Sequence, residues 1–189
     1  MPRAADPALR DRIVETSAAL FYERGVRAVG MAEIVAAVGC GKNALYRHFP
    51  SKEALVLAYL QHMARWLDAT MDGALAGLER VPSAALVAVT RQVADWVAAP
   101  GYRGCPFRSY LREVREDDHA PARLAEAEVE GLRVRVDALV ARLGTPQPDL
   151  LADRIWLVIE GLYASAPYGD REQSATTAVG LVQELLAAA

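Results

Sequence analysis

The chain has 189 residues, 53% hydrophobic and 24% charged, with 21 basic against 24 acidic side chains and a net charge of −3. That length buries a sizeable core, the near balance of charge excludes a uniformly basic nucleic-acid coat, and ordinary Gly and Pro content excludes collagen-like and low-complexity chains. No uncharged apolar run reaches the roughly 18 residues a membrane span needs, and the opening MPRAADPALRDRI has no signal-peptide core, so a soluble cytoplasmic protein is expected.

Apolar residues recur at three- and four-residue steps and strand alternation is absent, which predicts an all-α protein of about nine helices. Leu9, Ile13, Ser17, Leu20 and Phe21 form one face of a helix over 7–24, stopped by Gly25. A short helix over 31–38 ends at Gly39, and a two-turn helix over 42–49 ends at Pro50. Ser51 caps a long helix that carries Leu55, Tyr59, Met63 and Trp66 on one side and is expected to run to about Arg80. Pro82 opens a helix reaching about Ala99, and PGYRGCP at 100–106 is a loop. Further helices are expected over 107–116, from Pro121 to before Gly144, over 150–164 and over 173–188. Glu116, Asp117 and Asp118 fall in an expected exposed loop, and TPQP at 145–148 is a second break.

Cys40 and Cys105 are expected to be buried or half-buried free thiols in a reducing compartment. Neither they nor the three His fall at zinc-binding spacing, and His62 and His119 have no acidic or His partner at metal spacing. No metal and no cofactor are therefore expected. Charge divides unevenly: residues 1–53 carry eight basic and six acidic side chains, and residues 54–189 hold the net negative charge. Only the N-terminal quarter suits a polyanion.

Within that quarter, MAEIVAAVGCGKNALYRHF has the layout of a helix-turn-helix. Ile34, Val35 and Val38 supply packing, and Gly39 takes the left-handed turn that few other residues adopt. Leu45 and Phe49, four apart, face inward on the next helix. That leaves Lys42, Asn43, Ala44, Tyr46, Arg47 and His48 on the other faces of a helix too short to be stable alone. Such decoration suits DNA. Lys42 and Arg47 match guanine edges or phosphates, Asn43 adenine, and Ala44 a thymine methyl, while Tyr46, His48 and Lys52 offer phosphate donors. The competing reading is a solvated helix face with Tyr46 half-buried.

Residues 10–57 resemble the N-terminal domain of the TetR family of bacterial transcriptional regulators. The resemblance rests on GKNALYRHFPSKEAL at 41–55, EIVAAVG at 33–39 and LFYERG at 20–25. It implies a three-helix DNA-binding domain over 1–53 and a helical effector-binding and dimerisation domain over 54–189. Two departures stand out. Gly30 and Gly41 occupy capping positions where the family commonly has Ser or Thr, so a side-chain cap and a hydroxyl for phosphate are missing. Cys40 stands where an aliphatic residue is usual and is read as a small packed hydrophobe; a redox role would need exposure and a lowered thiol pKa. The string YRGCPF at 102–107 resembles a loop-to-helix motif of part of the family, with Ser109 in place of its usual Asn.

Residues 150–164 are apolar nearly all round, which predicts burial on two sides, and residues 173–188 show a second apolar face. Paired with a second copy they would form a four-helix bundle, as the resemblance implies, with Trp156, Ile159, Val179, Val182 and Leu186 expected at the homodimer contact. Met63, Trp66, Trp96, Tyr102, Phe107, Tyr110, Trp156 and Tyr163 are the candidates for an apolar, aromatic small-molecule pocket. Ordinary core packing is the competing reading for both sets.

The expected protein is a homodimeric repressor that releases a palindromic double-stranded operator when a small-molecule effector binds. A helical enzyme built on Cys105 or His119 lacks any ordered nucleophile, base and orienting group, so no enzymatic activity is expected. A helical adaptor without DNA binding would not need the Tyr46–Lys52 segment, and an activator remains a variant within the same class.

Overall fold

The computed structural model describes residues 7–114 and 119–189. Among them are nine helices and no strand. The first four are α1 (Pro7–Arg24), α2 (Met31–Val38), α3 (Lys42–His48) and α4 (Lys52–Leu75). They are followed by α5 (Pro82–Ala98), α6 (Pro106–Glu113), α7 (Ala120–Ala141), α8 (Pro148–Ser165) and α9 (Arg171–Ala187). The expected acidic loop at Glu116–Asp118 lies outside the described residues.

The helix ends follow local chemistry. Gly39 adopts φ +68, and its N–H reaches the carbonyls of Val35 and Ala36, closing α2 in a left-handed turn. Ser51 Oγ accepts the Ala54 N–H at 3.0 Å and caps α4. Helix α4 ends at Leu75, short of the expected Arg80. Gly77 at φ +80 reverses the chain there, and its N–H donates to Glu79 Oε1 at 2.9 Å. The backbone amides of Glu79 and Gly77 hold that carboxyl below its ordinary range. Helix α9 starts two residues before the expected Gln173, because Asp170 accepts the N–H groups of Glu172 and Gln173 at 3.0 and 3.1 Å.

The chain forms two compact units. One holds the residues up to Trp66 together with Cys105–Glu128, the other Leu67–Gly104 with Val129–Ala189, so this packing division cuts through α4 and α7. It differs from the division expected at residue 53, which falls just after the start of α4. In the first unit Ile13, Val29, Ile34, Leu45, Leu55 and Leu60 are fully buried. Phe21 of α1 meets Tyr59 of α4 with ring centroids 5.5 Å apart, and burial pushes the Tyr59 hydroxyl pKa well above its ordinary value. In the second unit α5, α8 and α9 pack on one another around Leu86, Val89, Val93, Ile155, Ile159, Leu162 and Val182. Arg133 joins α7 to α8 through Asp137 on its own helix and Asp153 at 2.7 Å, and both carboxylates raise the guanidinium pKa.

Removing the α9 cap tests this description. Asp170→Ala is expected to lower unfolding stability by about 1 kcal/mol, read as a reduced urea midpoint with unchanged slope.

Candidate nucleic-acid interface

Helix α3 is seven residues long and owes its place to burial. Leu45 is fully buried, and Phe49, its C-cap, is 3% exposed. Each apolar side chain of that size contributes about 1.5–3 kcal/mol when withdrawn from water, which holds a helix too short to be stable alone. The guanidinium of Arg10 in α1 lies 5.3 Å from the Phe49 ring centroid and covers it.

With those two residues inward, the helical step of about 100° per residue fixes the rest. Asn43, Ala44 and Arg47 occupy the outward side. Lys42 and Tyr46 flank it on one edge and His48 on the other. Lys42, Asn43, Tyr46 and Arg47 are exposed, and Ala44 and His48 are half-buried. The Lys42 ammonium sits 5.9 Å from the Tyr46 ring, so these two side chains share one edge. Lys52, half-buried, opens α4 directly after the Phe49–Ser51 turn. The seven residues named from sequence thus lie on one short helix and the first turn of the next.

Gly30 and Gly41 are the N-caps of α2 and α3, with extended backbone and no side-chain cap bond. A Cβ at either position would meet nothing within 4 Å. Cys40 is half-buried, and Cys105 is buried with Arg108 Nη1 at 3.8 Å from its sulfur.

The eight pocket candidates divide between the two units. Phe107 and Tyr110 are buried in the first, Met63 is half-buried there and Trp66 is 50% exposed. Trp96, Tyr102, Trp156 and Tyr163 are partly buried against the core of the second. Arg171 lies over the Tyr102 ring and Arg133 over Trp156. A cavity of about 280 Å³ in the second unit is lined by Thr145, Gln147, Leu150, Leu151, Arg154 and Leu185 among others, and includes none of the eight. His119 accepts the Ala122 N–H through Nδ1 at 3.3 Å and faces the Tyr110 hydroxyl through Nε2 at 3.5 Å, an arrangement that caps α7. Among the described residues no three His, Cys, Asp or Glu side chains gather as metal ligands, and no helix is long and apolar enough to cross a membrane.

Of the residues expected at a dimer contact, Ile159 and Val182 are fully buried in the core of their own unit, and Trp156, Val179 and Leu186 pack partly buried against it. The large apolar residues that α8 and α9 leave exposed are Leu150, Leu157 at 68% and Leu181 at 44%. Periodicity alone does not separate the inner from the outer face of α8, which is apolar nearly all round.

An arrangement of two short packed helices with a basic, polar outward face defines a helix-turn-helix DNA reader. The model of bacterial regulatory proteins of the tetR family matches residues 13–59, the stretch from α1 into α4. An HTH-type transcriptional regulator of Mycobacterium tuberculosis is 36% identical over 80 residues, 42% of this chain and 40% of that protein, so the match spans well under two thirds of that relative. Two solved structures match along nearly the whole chain. SCO4454, a TetR-family regulator of Streptomyces coelicolor, is 27% identical with a TM-score of 0.87, covering 95% of each chain. A TetR transcriptional regulator of Streptomyces avermitilis is 30% identical with a TM-score of 0.79, covering 96% of this chain and 97% of that one. The chain belongs to the TetR family and is a DNA-binding transcriptional regulator.

The open cap at α3 gives a direct check. Gly41→Ser has room for its side chain and supplies the missing oxygen, so it is expected to stabilise the protein by a few tenths of a kcal/mol. A lowered thermal midpoint would contradict the cap geometry.

Proposed function

We propose that this regulator is a homodimeric repressor that reads a palindromic operator with α3 and releases it when a small molecule binds the C-terminal helical domain, residues 54–189. The observation that carries the proposal is the outward face of α3, where Asn43, Ala44 and Arg47 point away from the buried pair Leu45 and Phe49. In this reading those three contact base edges: Arg47 donates to guanine, Asn43 pairs with adenine, and Ala44 meets a thymine methyl. Lys42, Tyr46, His48 and Lys52 hold the flanking phosphates and set the register without reading sequence.

One seven-residue helix spans too few base pairs for useful specificity, and a two-fold dimer doubles the site. Support for a second copy comes from the outer face of α8 and α9. Leu150, Arg154, Leu157, Gly161 and Ala164 follow one another at helical spacing and are all exposed, and Thr177, Leu181 and Ala188 repeat the pattern on α9 and its C-cap. A mid-helix Gly costs about 1 kcal/mol relative to Ala, and nothing in this chain lies within 4 Å of a Cβ at Gly161. Close approach of a partner helix accounts for both the glycine and the exposed leucines. The seam therefore centres on Leu157 and Leu181, while Ile159 and Val182 serve the protomer core.

The effector step is supported by two solved structures of the same fold, a transcriptional regulator of Saccharomonospora viridis in complex with choline and AibR in complex with isovaleryl coenzyme A and operator DNA. Trp96, Tyr102, Trp156 and Tyr163, partly buried in the second unit, are aromatic walls suited to an apolar or aromatic molecule. The effector shifts the DNA-competent population by no more than its differential affinity for the two states.

Two experiments test the reading. Replacing Leu157 by Glu is expected to convert a two-chain species to one chain in sedimentation velocity while helicity stays unchanged; a persistent dimer would remove this seam. Replacing Lys52 or Tyr46 by Ala is expected to weaken binding to all duplexes and to lower the salt slope by about 1 for each phosphate left without its partner, whereas Asn43→Ala relaxes base preference at one position per half-site. Unchanged slopes and unchanged preference would contradict the division of roles.

A further inference from the structure

The turn between α1 and α2 is held by a residue 86 positions away in sequence. Glu113, the last residue of α6, accepts the backbone N–H of Arg27 at its Oε2, 2.9 Å away. The Arg27 guanidinium in turn donates to the Glu113 carbonyl at 3.3 Å. The same carboxylate lies across Gly25, where a Cβ would come within 2.7 Å of Oε1, and Gly25 has φ +84. All of these interactions converge on one turn.

General physics makes this placement informative. The C-terminal end of a helix carries partial negative charge, so an acidic residue there is unfavourable unless something offsets it. The bonds to Arg27 supply the offset. They also give an acceptor to a turn N–H that no helix satisfies, and a charged acceptor makes the stronger bond. Both ends of the clamp are anchored. Phe107 and Tyr110 seat α6 with 4% exposure each, and Val26 and Val29 seat the turn on either side of Arg27 at 8% and 0%. The turn leads directly into α2, which packs on both α1 and α3.

We propose that Glu113 is a positioning residue for DNA recognition: its side chain clamps the α1–α2 turn to the end of α6 and sets the direction in which α2 and α3 leave α1. The clamp touches no DNA. It acts through the turn, so its removal loosens the reading head while the phosphate-binding residues stay intact. The proposal rests on the operator-binding reading above, and the experiment separates the two.

The test compares wild type, Glu113→Ala and Glu113→Gln as full-length protein, first without DNA by hydrogen exchange. It then measures affinity for a duplex that wild type recovers from a random-sequence pool and for a scrambled duplex. In Glu113→Ala, exchange at residues 25–30 and in α2 and α3 is expected to accelerate about tenfold or more, with α8 and α9 unchanged. Affinity for the recovered duplex falls about tenfold and affinity for the scrambled duplex stays within about twofold. Glu113→Gln keeps an acceptor oxygen at the same reach and recovers a large part of both effects; it also serves if the alanine variant fails to fold. Unchanged exchange at 25–30, acceleration spread evenly over all helices, or loosened exchange with unaltered operator affinity each overturns the proposal. Recovery of no sequence by wild type overturns the operator reading instead, and the exchange data then judge the clamp alone.

Discussion

Burial of Leu45 and Phe49 is the constraint on which the reading head depends. Seven residues make too few hydrogen bonds to hold a helix in water, and α3 has neither a side-chain cap at Gly41 nor an acidic first turn. Tertiary packing therefore does what local propensity does not. Because both apolar residues point one way, the polar side chains of α3 fall on its outward side and edges in a fixed order. The face proposed to meet DNA is the geometric complement of the core face, and altering the packing would rotate it. Arg10 over Phe49 and the Phe21–Tyr59 contact tie α1 to this arrangement from the other side.

Much of this was legible in the sequence, for identifiable reasons. Gly39, Pro50 and Ser51 are strong punctuation, so α2, α3 and the start of α4 fell where expected. The string from Gly41 to Leu55 carried the family resemblance because a helix-turn-helix leaves little freedom at each position. Other features depend on contacts that periodicity does not encode. The end of α4 is set by Gly77 with the Glu79 carboxylate, and the start of α9 by Asp170, both of which work through local hydrogen bonds. The inner and outer faces of α8 were indistinguishable while both were apolar. Glu113 was invisible as anything but a surface charge, since its partner lies in a turn 86 residues earlier.

The two packed units carry different physical burdens. The first sets the short α2, α3 and α6 beside α1 and the start of α4, around Ile13, Phe21, Ile34, Leu45, Leu55 and Leu60. The second is a conventional helical core in which α5, α8 and α9 bury long aliphatic rows. Helices as short as α2 and α3 are held by the packing of the first unit and open with it.

The central claim is that two copies of α3 read one two-fold symmetric site. It is tested most directly by selecting duplexes from a random-sequence pool with the purified protein at near-physiological salt and then measuring the stoichiometry of the recovered complex. The expected result is a palindrome whose half-site centres lie about one helical turn, or a multiple of it, apart, bound by an even number of chains. Recovery of an asymmetric site bound by a single chain would contradict it.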